Sequence, residues 1–410
     1  MLKSPLGEKL SRPPLAVTVG TYQITYRSFT SPRSAFRTPL IVLTSSLQSA
    51  NHFYDFILKT AGEWPVYLVD LPGQGENTDF GEGLELVDLA DLLEGFLNRL
   101  GISKIQIMGF SHMATTAFLF AQSRPDKVSK VILAGATTSL RASVRALLEE
   151  NIHSYSIGEF SEFAHSAPLS LSNWSLQEGI THSRALVRMM SRTLEQHSNE
   201  ASRMALNIKR MLNAKVLTGM LEMPTLIISG EWDRFTTANE GFQLSKRCLQ
   251  GSFAMIKDCD HFASYENGKV FNKVVARYLM DEPLGRMVGV EVIEKDNFPF
   301  SRLQLVPRWK LDEIAFLDSG NGVFVPINII DINSHGCRLF TSFNSHHSLR
   351  AGQKKFVLRL QGPEVAVEVL IFDREDGKHF KGVFKHRSLE RTRAFEGLVG
   401  KLSEGKQLVA

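Results

Sequence analysis

Between residues 15 and 140, short apolar runs alternate with stretches whose apolar residues recur at helical spacing. LAVTVGTYQITYRSF reads as one or two strands, PLIVLTSS as a buried strand, and WPVYLVDLPGQG as a strand closed by a Pro/Gly turn. LELVDLADLLEGFLNRL has the helical period and stops at Gly101. KIQIMGFS, ATTAFLFAQSR and KVSKVILAGA then read as strand, helix and strand. Strand and helix in alternation predict a parallel, doubly wound α/β sheet.

The pattern changes over residues 141–218, where helical stretches such as RASVRALLEENI and SRALVRMMSRTLEQ follow one another without a clear strand. This segment is expected to be a helical cap. TLIISGEWDRF and GSFAMIKDCDHF restore the strands, and VFNKVVARYLMDEP is a last helix, stopped by Pro283. Beyond about 285 a linker with some structure is expected. FVPINIIDI, GCRLFTSF, KKFVLRL, EVAVEVLIFD and HFKGVFKH follow as short strands with turn-like breaks, and SLERTRAFEGLVGKL as a closing helix. That is the pattern of a small antiparallel β-barrel. The expected domains are 1–285, capped by 141–218, and 286–410.

Composition narrows the function classes. The chain has 410 residues, long enough for two or three domains. A net charge of +4 argues against a nucleic-acid partner. Cys248, Cys259 and Cys337 are scattered without a CxxC, so neither a disulfide framework nor a zinc site is expected. No apolar run is long enough to span a membrane, and the first residues lack a signal-peptide core, so a cytoplasmic location is expected. No GxGxxG or phosphate loop is present, and no metal or other cofactor is expected for catalysis.

The candidate chemistry lies at strand ends. Gly109-Phe110-Ser111-His112-Met113 sits between a predicted strand and helix, the setting of a nucleophile elbow. Met113 stands where the usual motif has a second glycine, and a bulky residue there is expected to crowd the turn. A serine needs a base to take its proton. Asp233 and His261 follow Ser111, each after a strand, in the order Ser…Asp…His. His261 would deprotonate Ser111 while Asp233 orients the imidazole. Asp258 and Asp260 are alternative acids, ranked lower. Backbone N–H groups of Ser46 and His112 are the expected oxyanion donors. The bland readings are a surface turn for GxS, a turn cap for Asp233 and a loop histidine for His261.

Residues 15–283 resemble the α/β-hydrolase superfamily. Within it they are most similar to the acyltransferases that make the lipid precursor of rhamnolipids. FSHMATTAFLFA, DLPGQGEN, SGEWDRFTTANEGFQLSKRC and IKDCDHFASYE carry the resemblance. It implies Ser111, Asp233 and His261 as nucleophile, acid and base. It also implies acyl chemistry on 3-hydroxyacyl thioesters, by transfer or by hydrolysis. A catalytically silent hydrolase fold serving as an interaction module, and a simple esterase or thioesterase, stay open as alternatives. Arg184, Arg188 and Arg192 fall on one helix face, either a solvated face or a dock for an acidic acyl carrier protein. Met189, Met190, Met204 and Met211 are either core or the lining of an acyl pocket.

The C-terminal strands resemble the PilZ domain, a receptor barrel for cyclic di-GMP. Asp331, Asn333 and Gly336 stand at its [D/N]xSxxG motif, with Asn333 in place of the serine. Arg302 fits the second arginine of its RxxxR motif, but Phe298 occupies the first. The resemblance implies cyclic di-GMP as a regulatory ligand, weakened by the lost arginine. A degenerate barrel used for docking is the other reading.

Overall fold

The computed structural model describes residues 10, 12–176, 179–180, 182–285, 287–293, 308–318, 320, 324–341, 355–360, 366–374 and 378–409. Nine strands form one sheet in the order β1-β2-β4-β3-β5-β6-β7-β8-β9. They are β1 (Leu15–Val19), β2 (Tyr22–Phe29), β3 (Leu40–Leu43), β4 (Val66–Asp70), β5 (Ile105–Phe110), β6 (Val128–Ala134), β7 (Thr225–Gly230), β8 (Gly251–Ile256) and β9 (Val290–Ile293). The central neighbours from β4 to β8 run parallel. β3, β5 and β7 are buried at every position, as strands covered on both faces must be.

Helices cover both faces. α2 (Leu86–Arg99), α3 (His112–Ser123) and α8 (Ala238–Ser245) pack on one, around Phe96, Ala117 and Phe242. α1 (Tyr54–Thr60) and α10 (Gly268–Leu279) pack on the other, around Ile57, Phe271 and Val274. Between β8 and α10 lies the single turn α9 (Ala263–Glu266).

The cap is helical, as expected. It comprises α4 (Ala142–Ser156), α5 (Phe160–Ser170), α6 (Ser183–Gln196) and α7 (Ser198–Asn213). Leu148, Phe163, Met190 and Ile208 form its own core.

One segment expected to be a linker joins the first domain. β9 pairs antiparallel with β8, Val290 opposite Ile256 and Ile293 opposite Phe253. The edge of β8 supplies the unpaired backbone groups that make this addition favourable. The nine-stranded sheet therefore runs past residue 285.

The C-terminal unit is a closed six-stranded antiparallel barrel. Its strands are β10 (Arg308–Asp318), β11 (Phe324–Asn333), β12 (Gly336–Phe340), β13 (Lys355–Leu360), β14 (Ala366–Arg374) and β15 (His379–Lys385). β10 pairs with both β11 and β13, which closes the barrel. α11 (Leu389–Ser403) plugs it with Phe395, Leu398 and Val399. β16 (Leu408–Val409) adds to the edge of β10.

The barrel docks on the cap through buried charge. Lys385 Nζ, with its side chain 1% exposed, meets Glu150 at 3.2 Å, Ser154 Oγ at 3.0 Å, and Glu162. Lys355 reaches Glu150 at 2.7 Å. Among the described residues no helix is long and apolar enough to cross a membrane.

Candidate active site

Three parallel strands deliver three side chains to one end of the sheet. Ser111 follows β5, Asp233 follows β7 and His261 follows β8. Ser111 sits at φ 51°, ψ −127°, a strained conformation for a residue with a Cβ. The turn closes because position 109 is glycine. A Cβ there would lie 2.4 Å from the Met113 carbonyl oxygen and 2.8 Å from the Ala114 Cα. Met113 does not crowd the turn as expected. Its side chain points away into the sheet–helix core and is fully buried.

The structure brings the three predicted residues together. Ser111 Oγ lies 3.0 Å from His261 Nε2, and His261 Nδ1 lies 2.9 Å from Asp233 Oδ2. The His261 and Asp233 side chains are 2% and 0% exposed. Thr236 holds the acid: its backbone N–H donates to Asp233 Oδ1 at 2.8 Å, its hydroxyl to Oδ2 at 2.8 Å. Burial alone would lower the His261 pKa, but the Asp233 carboxylate outweighs it, and the pKa stands above the ordinary histidine value. Gly135, at φ 61°, makes room for the ring, since a Cβ there would lie 2.9 Å from His261 Cε1.

The alternative acids sit differently. Asp258 has its backbone at φ 54°, and its N–H donates to Glu231 Oε2 at 3.1 Å. Asp260 is fully buried and receives the Asn173 backbone N–H. Its own N–H donates to Glu266 at 2.6 Å. Burial first, then the Asp233 carboxylate, pushes Asp260 above the usual carboxylate range; burial first, then Asp260 and Asp233, does the same to Glu266.

Ser46 lines a cavity that reaches Ser111, and His112 follows Ser111 as the first residue of α3. Neither backbone N–H has an acceptor among the described residues. Behind them lies a buried polar chain that sequence reasoning missed. Ser45 Oγ lies 3.3 Å from His112 Nδ1, and His112 Nε2 lies 2.9 Å from Gln74 Oε1. Gln74 Nε2 donates to Asn207 Oδ1 at 2.7 Å, and Asn207 Nδ2 to Ser46 Oγ at 2.7 Å. Burial lowers the His112 pKa to about 3, with Arg210 and His261 adding repulsion. A neutral ring donating from Nε2 and accepting at Nδ1 satisfies both contacts. The available signal was Asn207, a polar residue on the apolar face of α7. Arg210, one turn on, is equally buried. It donates to the carbonyls of Pro72, Gly81 and Leu84 at 2.8–2.9 Å. It thereby ties the cap to the loop carrying Gln74.

Two cavities meet at Ser111. One, about 50 Å³, is lined mainly by Phe110, Leu186, Met189, Met190 and Phe271, together with Ser45 and Ser46. No Lys or Arg is among its described lining. The other, about 40 Å³, is lined by Thr137, Thr138, Met211, Lys215 and Phe235. Of the four methionines singled out, Met189 and Met190 face the first cavity and Met211 the second. Met204 packs in the cap core. Arg188 and Arg192 are exposed on α6, and Arg184 is half-buried.

The residues expected for cyclic di-GMP are largely engaged within the protein. Arg302 lies outside the described residues, as does Phe298. Asp331 is fully buried and ion-paired to Arg308 and Arg338. Asn333 Oδ1 accepts the N–H groups of His335 and Gly336 at 3.0 and 2.9 Å.

Comparison with known proteins agrees with this geometry. Residues 38–155 match a family model described as alpha/beta hydrolase fold. A 2-hydroxy-6-oxononadienedioate/2-hydroxy-6-oxononatrienedioate hydrolase of Cupriavidus pinatubonensis is 29% identical over 229 residues, 53% of this chain and 77% of that protein. One of the same name from Klebsiella pneumoniae is 26% identical over 220 residues, 52% of this chain and 76% of that protein. An alpha/beta hydrolase enzyme from a Medee basin deep-sea metagenome library superposes with TM-score 0.58 at 20% identity. It covers 67% of this chain and all of that one. An enol-lactonase from Burkholderia xenovorans does so with TM-score 0.54 at 17% identity, over 65% of this chain and all of that one. The two structures speak for the fold alone.

Proposed function

Taking the chain as an enzyme of the α/β-hydrolase type, we propose that it performs serine-dependent acyl chemistry on an ester or thioester. The observation that carries this reading is the hydrogen-bonded line from Asp233 through His261 to Ser111. Ser111 Oγ attacks the acyl carbonyl carbon while His261 Nε2 takes its proton. The oxyanion is met by the Ser46 and His112 N–H groups. As the carbon–sulfur or carbon–oxygen bond breaks, His261 returns the proton to the leaving group. Water or a hydroxyl acceptor, deprotonated by His261, then releases the acyl group from Ser111.

The substrate class follows from the first cavity. The relatives named above are hydrolases named for dienedioates, which carry two carboxylates. Here the acyl side offers apolar side chains and hydroxyls, and no cation. An uncharged acyl group is favoured over a diacid, because a buried carboxylate without a partner is costly. Ser45, Ser264 and Tyr265 bring hydroxyls to this lining, each also bonded within the protein to His112, His52 or the Leu47 carbonyl, and such polar groups in an apolar lining support the 3-hydroxyacyl thioesters implied by the rhamnolipid-precursor resemblance. A cavity of about 50 Å³ holds little more than one or two waters. A long chain therefore enters only when α6, carrying Leu186, Met189 and Met190, moves outward.

Transfer and hydrolysis share every step but the last. The silent-module alternative loses one support, since Met113 leaves the elbow open. Regulation by cyclic di-GMP remains the reading offered by the PilZ resemblance. It is favoured by one contact line. His335 Nε2 of the motif loop lies 2.9 Å from Ser175 Oγ, and Asn173, two residues away, donates to Asp260 beside His261.

The test is a panel of N-acetylcysteamine thioesters: 3-hydroxydecanoyl, decanoyl and a dienedioyl compound. Turnover of the 3-hydroxydecanoyl thioester above the other two is expected. Preference for the diacid would overturn the substrate assignment.

A further inference from the structure

A larger cavity, about 490 Å³, lies between helices α1 and α10, beside the one at Ser111. Phe110, Ser264, Tyr265 and Phe271 line both cavities and form the partition between them. His52 holds that partition. Its ring stacks on Tyr265 with centroids 3.4 Å apart, and its Nε2 lies 3.3 Å from Ser264 Oγ. Phe53, Phe56 and Met108, all buried, complete an apolar wall. Neither Ser111 nor His261 is among the described lining.

The polar part of the lining is biased toward an anion. Lys59 of α1 and Lys269 of α10 are exposed, and neither makes an ion pair among the described residues. Asp55, one turn before Lys59, is the one carboxylate in the described lining. Gly268, the first residue of α10, brings the positive end of that helix to the same cavity. Asn272 follows one turn later on the same helix face. It is only 8% exposed, and its side chain has no hydrogen-bond partner among the described residues. An amide left in that state costs free energy that a ligand group recovers by accepting its N–H.

We propose that this cavity is a second ligand site, taking an aliphatic anion. The apolar tail lies against Phe53, Phe56 and Met108, which removes both surfaces from water. The anionic head meets Lys59, Lys269 and the Asn272 amide, bonds that charge strengthens. Its volume is that of a small-molecule site rather than of an ion site. Carboxylate and phosphate heads share this chemistry. The bound tail rests on the far side of Phe110 and Tyr265 from the nucleophile, so the ligand is held without being acylated or cleaved. The inference goes beyond the acyl-chemistry reading and does not depend on it, because binding needs no turnover.

The experiment is calorimetric titration of the full chain at low salt with decanoate as probe. Decyl phosphate and decan-1-ol run as parallel arms. Saturable binding of decanoate or decyl phosphate that weakens with added salt is expected, and the tighter of the two identifies the head group. Decan-1-ol, with the same tail and no charge, should bind about tenfold more weakly or worse. The double variant Lys59→Gln/Lys269→Gln should weaken binding of the anions by about tenfold or more, the loss of charge-assisted contacts. Asn272→Leu, which keeps the bulk and removes the amide, should weaken it as well. Lys273→Gln, on α10 but outside the described lining, should leave it unchanged. If Asn272→Leu fails to fold, the exposed lysine pair decides. No saturable binding of either anion at millimolar concentration, binding untouched in the lysine variant, or decan-1-ol binding as tightly as the anions would overturn the proposal.

Discussion

Ser111 is held in a backbone conformation that costs free energy, and Gly109 is what makes that conformation reachable. Met113 illustrates how the same turn uses a departure from the usual motif. Its side chain fills a core site, so restoring the glycine removes packing and frees no space that the turn needs. Met113→Gly should destabilise the protein by about 2–5 kcal/mol, read as a lower midpoint in chemical denaturation. An unchanged or raised midpoint would show that the turn, not the core, governs this position. His261 makes a second prediction. As the proposed base it must be neutral, and Asp233 holds its pKa above the usual value. The acidic limb of kcat/KM should therefore lie above about pH 6.5. In Asp233→Asn it should move to lower pH, with kcat down by about four orders of magnitude. A limb that stays in place would mean another group titrates. The Ser…Asp…His order was legible because each residue ends an apolar run. Thr236 and Gln74 were not, because hydrogen bonds closed by folding leave no spacing to read, and Asn207 left only its place on the apolar face of α7.

At the scale of elements, the strands of the doubly wound sheet were the easiest to read. Continuous apolar runs such as IQIMGF and TLIISG have few other places to go. The barrel strand β10 escaped notice. RWKLDEIAFLD carries Lys310, Asp312 and Glu313, and a register shift between Lys310 and Glu313, with Asp312 at φ 56°, breaks its alternation. β9 was read as linker for the related reason that a four-residue edge strand carries little pattern. Cap helix α7 bears the element-level prediction. Its Asn207 reaches Ser46 and Gln74 behind the proposed oxyanion donors. Asn207→Ala leaves both short of a partner, and kcat for a thioester should fall about tenfold with KM little changed. A rise in KM alone would assign Asn207 to substrate binding instead.

The whole molecule is joined across a charged contact. Lys385 is surrounded by Glu150, Glu162 and Ser154, and breaking such a pair from one side strands the other charges. Lys385→Ala should cost about 3–5 kcal/mol, read in chemical denaturation. Burial raises the pKa of Glu150 and Glu162, but their lysine partners prevail and both stand below the usual glutamate value. Their contribution is thus present above the ordinary pKa and is lost as pH falls through the lowered one. Wild type should lose stability more steeply than Lys385→Ala on acidification. Parallel profiles would place the acid sensitivity elsewhere.

Every proposed step begins with Ser111 as an activated nucleophile. It is tested most directly by reaction with a fluorophosphonate probe, with the modified residue located by mass spectrometry. Labelling at Ser111 is expected in the wild type and none in Ser111→Ala. A folded wild type that takes up no probe, or labelling that persists in Ser111→Ala, would contradict it.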